Sequence, residues 1–122
     1  MEYESAFCSA ADELISSRVV IDSPKGTSHP KYTGFIYRVD YGYLEGTSSM
    51  DGGGIDVWMG TNGTDCLNAV MCIIDLTKMD SEIKLLIGCT EEEIRIIYDT
   101  HNETGCMKGL LIRRPTVDIG KK

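Results

Sequence analysis

The stretch that decides the fold is Tyr37-Arg38-Val39-Asp40-Tyr41-Gly42-Tyr43, together with the turn Asp51-Gly52-Gly53-Gly54-Ile55-Asp56-Val57 that follows it. Consecutive glycines lose much conformational entropy on folding, so they mark backbone that turns sharply or approaches a neighbour closely. Asp51 and Asp56 flank the turn, and carboxylates that converge in this way can bind a hard divalent cation. For the turn in isolation, a hairpin loop with solvated aspartates is the favoured interpretation. Motifs elsewhere in the chain change this interpretation of the turn.

Length and charge limit the functions open to the chain. Its 122 residues predict a single domain over residues 1–122, and the net charge of −7 lacks the basic stripe that nucleic acids require. We find no apolar run near 18 residues and no basic, apolar leader, so we expect no membrane partner and a cytoplasmic location. An acidic protein that acts on an anion must bring cations to its site, so the negative charge is consistent with substrate binding through metal ions.

The cysteines argue against a disulfide framework. Cys8, Cys66, Cys72, Cys89 and Cys106 are odd in number and widely scattered, and no two of them form a C-x-x-C pair. This pattern predicts neither a disulfide framework nor a zinc site, and it is typical of a reducing compartment.

Hydrophobic periodicity predicts short strands between turns, with one helix before them and one helix late in the chain. The expected helices cover residues 4–16 and 91–100, the second opened by the capping box Thr90-Glu91-Glu92-Glu93. Strands are expected at 18–22, 57–59, 67–76, 82–88 and 110–112, with loops at 24–34 and 41–51, a turn at 78–81 and a polar tail at 115–122. The barrel core then spans about residues 18–113. We predict an α+β, mainly-β fold, a small β-barrel with flanking helices, although periodicity alone leaves other α+β arrangements open.

Several motifs in this order resemble those of the soluble family I inorganic pyrophosphatases. Asp22 and Pro24 precede Lys31-Tyr32, and the two opening motifs follow at spacings that fit the family without gaps. The resemblance is good over residues 18–59 and weaker over 70–88. It implies an OB-like five-stranded β-barrel that assembles as a homo-oligomer and hydrolyses pyrophosphate or a related phosphoanhydride. Mg²⁺ is the implied cofactor, with Mn²⁺ as an alternative.

The same resemblance implies roles for individual residues. The implied metal ligands are Asp51, Asp56, Asp80, Asp22 and Glu82. The implied catalytic residues are Tyr41, Asp56 and Lys31, and the implied substrate-binding residues are Lys31, Tyr37, Lys84 and Arg38. From the residues alone, three of these positions have alternative interpretations. Asp80 can be a solvated hairpin tip, Lys31 a surface lysine, and Tyr37 a core residue with a polar tip. Tyr43 and Trp58 are assigned to the core.

The chain also departs from the family pattern. Gly53 and Gly54 stand where the family has an aspartate and a proline, and the segment after Tyr32 is shortened. The family's late phosphate-binding pair has no good match, and His101 is interpreted as a surface residue at a helix end. These changes leave two hypotheses open: a metal-dependent hydrolase that is slow or accepts a bulkier substrate such as a nucleotide diphosphate, and a catalytically degenerate binding or regulatory module.

Overall fold

A computed structural model describes residues 2–49 and 52–115, and the structural statements below concern these residues. Two helices and six strands follow one another along the chain: α1 Glu2–Leu14, β1 Val19–Ser23, β2 Asp40–Leu44, β3 Asp56–Met59, β4 Leu67–Asp75, β5 Asp80–Ile87, α2 Glu91–Thr100 and β6 Met107–Arg113. Neither helix in the described part of the chain is long and apolar enough to span a membrane.

The strands form one six-stranded sheet in the order β1-β2-β3-β5-β4-β6. Strands β3 and β5 are parallel, and the other neighbours are antiparallel. The predicted α+β, mainly-β class is confirmed. The predicted barrel of five strands is corrected in its detail, because the described residues give six strands and β1 and β6 lie at the two open ends of the sheet.

The two faces of the sheet bury separate cores because side chains alternate along each strand. On one face, Trp58, Met71 and Leu86 pack with residues of α2. On the other face, Val57, Val70 and Leu85 pack with Cys8 and Ala11 of α1, among others. The candidate site lies on the α2 face.

The predicted loop over residues 41–51 is wrong at its start, since residues 40–44 form strand β2. Gly42 does not break this strand. It allows β1 to pass closely, because a Cβ atom at residue 42 would lie 1.8 Å from the carbonyl oxygen of Val20. Glycine is therefore required here by the neighbouring strand rather than by a turn.

Other predicted boundaries are close to those observed. Helix α1 begins and ends about two residues earlier than predicted, and α2 has the predicted bounds with the capping box formed by Thr90 and Glu93. The predicted turn at 78–81 is displaced, because strand β5 already begins at Asp80. Most of the polar tail, residues 116–122, lies outside the described residues.

Candidate active site

Four side chains from three strands meet around one ammonium group. Lys84 Nζ donates hydrogen bonds to Tyr41 Oη, to Asp56 Oδ2 at 2.8 Å and to Glu82 Oε1 at 3.2 Å. The Lys84 side chain is 9% exposed, whereas the side chains of Asp56 and Glu82 are 28% and 20% exposed. We call these four residues the Lys84 cluster.

The sheet register explains why these residues meet. Asp56 lies opposite Lys84 across the parallel β3–β5 pair, and Tyr41 lies opposite Trp58 across β2–β3. Glu82 and Lys84 are two residues apart on β5, so their side chains leave the same face of the sheet. Because the cluster stands on central strands, the surrounding ladder fixes its geometry.

Burial and mutual contact shift the acidity of two cluster members. Burial raises the pKa of Glu82 and a hydrogen bond with Asp56 raises it further, while the positive charge of Lys84 partly opposes both. Burial, together with the charge of Asp56 and a hydrogen bond to it, raises the pKa of Tyr41 far above its ordinary value. Tyr41 is therefore protonated at neutral pH.

The donor set fits a divalent cation in part. Asp56 and Glu82 each accept a hydrogen bond from Lys84, so two carboxyl groups face a single ammonium group. Hard cations such as Mg²⁺ prefer such oxygen ligands. Within residues 2–49 and 52–115, no three His, Cys, Asp or Glu side chains come close enough to form a complete metal site. Asp51, a predicted ligand, lies outside the described residues.

The Lys84 cluster lines a cavity of about 430 Å³. Charged groups from β4, β5 and the segment after α2 contribute to its wall, and aromatic rings from the 24–37 segment form another part. The lining residues include His29, Tyr32, Phe35, Tyr37, Tyr41, Asp56, Trp58, Asp75, Lys78, Glu82, Lys84, His101, Glu103 and Met107.

The interpretation of His101 as a surface residue is wrong. Its side chain is buried against Trp58, whose indole Nε1–H donates to His101 Nε2 at 3.2 Å, and Nδ1 lies 3.3 Å from Met107 Sδ. Burial lowers the pKa of His101 to about 4, the charge of Lys84 lowers it too, and Asp56 opposes the shift. Gly109 of β6 makes room for the ring, since a Cβ atom there would lie 3.1 Å from His101 Cβ.

The structure separates other predicted site residues from the Lys84 cluster. Lys31 is exposed, and its Nζ lies 5.6 Å from the centre of the Tyr32 ring. Asp22, Arg38 and Asp80 are also exposed and do not line the cavity. Their predicted roles therefore receive no geometric support from the described residues.

Tyr37 has features of both roles considered for it, which are substrate binding and core packing. It is buried in the core, and its ring lines the cavity and stacks on Tyr41 with centroids 5.3 Å apart. The cavity positions of Lys78 and Trp58 were not predicted from the sequence. The available signal was strand alternation for Trp58, which shares its face with Asp56.

Comparison with solved structures identifies the type of fold. The structure is similar to an inorganic pyrophosphatase from Neisseria gonorrhoeae, with a TM-score of 0.53 and 18% identity over 77% of this chain and 81% of that chain. It is also similar to an inorganic pyrophosphatase from Coxiella burnetii, with a TM-score of 0.54 and 13% identity over 79% of this chain and 84% of that chain. At this identity the likeness shows a pyrophosphatase-like fold. No protein-family model and no curated protein sequence matches the chain.

Proposed function

We propose that the chain hydrolyses inorganic pyrophosphate or a related phosphoanhydride to phosphate, with Mg²⁺ or Mn²⁺ as cofactor. The observation that carries the proposal is the Lys84 cluster. It joins the side chains of Tyr41, Asp56 and Glu82 to one buried ammonium group on the wall of a cavity. The similarity of the fold to pyrophosphatases supports the same reaction class.

The charge of the cavity favours a cation-assisted reaction. Its described lining contains the carboxylates of Asp56, Asp75, Glu82 and Glu103 but the ammonium groups of only Lys78 and Lys84. A phosphoanhydride carries several negative charges, so this lining alone would repel it. Asp56 and Glu82 would hold the cation. When bound, such a cation neutralises phosphate oxygens and lowers the pKa of coordinated water.

The chain's own residues would then orient and neutralise the substrate. Lys84 presents a fixed positive charge to the charge that develops on phosphate oxygens. Lys78 Nζ lies 3.8 Å from Glu82 Oε2, which places a second ammonium group on the same side of the cavity. Tyr41 stays protonated, so it holds the Asp56 carboxylate in place and accepts a hydrogen bond from Lys84. The roles of Asp51, Asp80, Asp22, Lys31 and Arg38 remain predictions, as do the single domain, the homo-oligomer and the cytoplasmic location.

A phosphate-release assay tests the proposal. We expect purified protein with pyrophosphate and Mg²⁺ or Mn²⁺ to release phosphate above background, and Asp56→Asn to lower the rate at least 100-fold, as expected for loss of a charge on the metal. Asp65→Asn removes an exposed carboxylate from a turn and serves as the matched control. Background rates for the wild type with both pyrophosphate and ADP, and with every metal tried, would reject hydrolysis and leave the binding or regulatory module. Fluorescence of Trp58 verifies that each variant is folded.

A further inference from the structure

The cavity has two chemically different ends. Lys78, Glu82 and Lys84 form a charged end, whereas His29 and Tyr32 form an aromatic end, and both line the same space. If each of the nine non-hydrogen atoms of pyrophosphate took the ~30 Å³ that a water molecule occupies in the liquid, the whole molecule would fill roughly 270 Å³. That is well below the cavity's volume of about 430 Å³. The remaining space is large enough to hold part of a larger ligand.

The aromatic rings form a path that leads away from Lys84. Tyr41, whose hydroxyl group contacts Lys84, stacks on Tyr37, and Tyr37 stacks on His29 with centroids 6.1 Å apart and planes 18° apart. The Tyr32 ring follows, 5.1 Å from His29. Exposure rises along this path, from 6% at Tyr37 to 50% at Tyr32. Core packing accounts for Tyr37, but the half-exposed Tyr32 ring, which Lys31 Nζ approaches to 5.6 Å, lines the cavity and can contact a ligand.

The His29 ring of the aromatic end is held in place by hydrogen bonds before any ligand binds. The backbone N–H of His29 donates to the Phe35 carbonyl oxygen at 2.9 Å. The ring atom His29 Nδ1 accepts hydrogen bonds from the backbone N–H groups of Lys31 and Tyr32 at 3.0 and 3.1 Å. In the neutral ring the proton therefore lies on Nε2, where it is a donor. Aromatic rings of fixed orientation bind a flat partner with little loss of entropy.

We propose that the substrate class is a diphosphate that carries an aromatic base, as a nucleoside diphosphate does. This inference rests on the proposed function. The phosphoanhydride lies at the Lys84 cluster, and the base stacks on the Tyr32 ring beside His29. Water forms a bond to one phosphorus atom and the bridging P–O bond breaks, so a nucleoside diphosphate and water give a nucleoside monophosphate, inorganic phosphate and a released proton.

The test compares two non-hydrolysable ligands by calorimetry with the full chain in Mg²⁺. One ligand is α,β-methylene-ADP, which carries a base, and the other is methylenediphosphonate, which does not. We expect the base-bearing ligand to bind at least 10-fold more tightly, the effect of one base stacked on aromatic side chains. Tyr32→Leu should lower this ratio about 10-fold and Tyr32→Phe should keep it. Tyr3→Leu, which changes an exposed tyrosine of α1, should leave the ratio unchanged.

The outcomes separate this inference from the proposed function. Phosphate release from pyrophosphate together with equal affinity for the two ligands would overturn the base-binding inference and keep the hydrolase. A preference for the base-bearing ligand that depends on the Tyr32 ring, without phosphate release from either pyrophosphate or ADP, would support the ligand class and reject hydrolysis. Binding of neither ligand together with no phosphate release would overturn both. A preference that Tyr32→Leu does not change would overturn the assignment of the base to this end of the cavity.

Discussion

Acid should destabilise the fold through His101, and His101→Gln should remove that effect. Since burial lowers the pKa of His101 from 6.5 to about 4, protonation of the ring costs about 3 kcal/mol more in the folded chain than in the unfolded chain. The pKa of His101 is lower in the folded chain than in the unfolded chain. The stabilisation that comes from the neutral ring is therefore fully present above pH 6.5 and is lost as the pH falls towards 4. By pH 5 the loss is about 2 kcal/mol.

Urea unfolding at pH 7.5 and at pH 5 measures this loss. Trp58 is the only tryptophan and donates to His101, so its fluorescence reports on this part of the core. Reductant is needed because all five cysteines are free thiols. The raised pKa of Glu82 has the opposite effect on the pH dependence of stability. The stabilisation that protonated Glu82 contributes to the folded chain is lost as the pH rises. The difference between the wild type and His101→Gln cancels that contribution. We expect the difference in the free energy of unfolding between the wild type and His101→Gln to change by about 2 kcal/mol between the two pH values. An unchanged difference would refute the buried, neutral state of His101.

Two further substitutions test the packing of the site. Lys84→Met should lower the free energy of unfolding by about 3 kcal/mol, because it leaves two partly buried carboxylates without their cation. Lys25→Met, at an exposed lysine, is the control, and equal urea midpoints would contradict this account. Gly42→Ala should cost at least about 3 kcal/mol, because the new methyl group meets the Val20 carbonyl oxygen. Gly34→Ala has open space around it and should change stability by less than about 0.5 kcal/mol, so similar melting temperatures for these two alanine variants would contradict the close approach of β1 to β2.

The fold class could be predicted from the sequence because local signals agree with it. Thr90 and Glu93 form a capping box that fixes the start of α2. The alternation of Glu82 and Lys84 with Ile83 and Leu85 places the charged pair on one face, as observed. The strand at β2 was missed because Gly42 is read as a turn residue when the strand crossing it is unknown. The contact that requires this glycine is with β1, which no local pattern reveals.

Part of the candidate site could also be predicted, and part could not. Motif order points to Tyr41, Asp56, Glu82 and Lys84, and the register of β2, β3 and β5 brings them together. His101 gives no such signal, because its burial depends on Gly109 and Trp58 meeting it from other elements of the sheet. The aromatic end depends in the same way on a short hairpin over residues 27–37, in which Ser28 and Ile36 pair.

A crystal structure of the protein with Mn²⁺ and methylenediphosphonate tests the central claim most directly. We expect anomalous Mn²⁺ density on the order of 2 Å from carboxylate oxygens of Asp56 and Glu82, with Lys84 Nζ in contact with a phosphonate oxygen. Mn²⁺ bound only at other carboxylates, with the Lys84 cluster closed on itself and no phosphonate in the cavity, would contradict it.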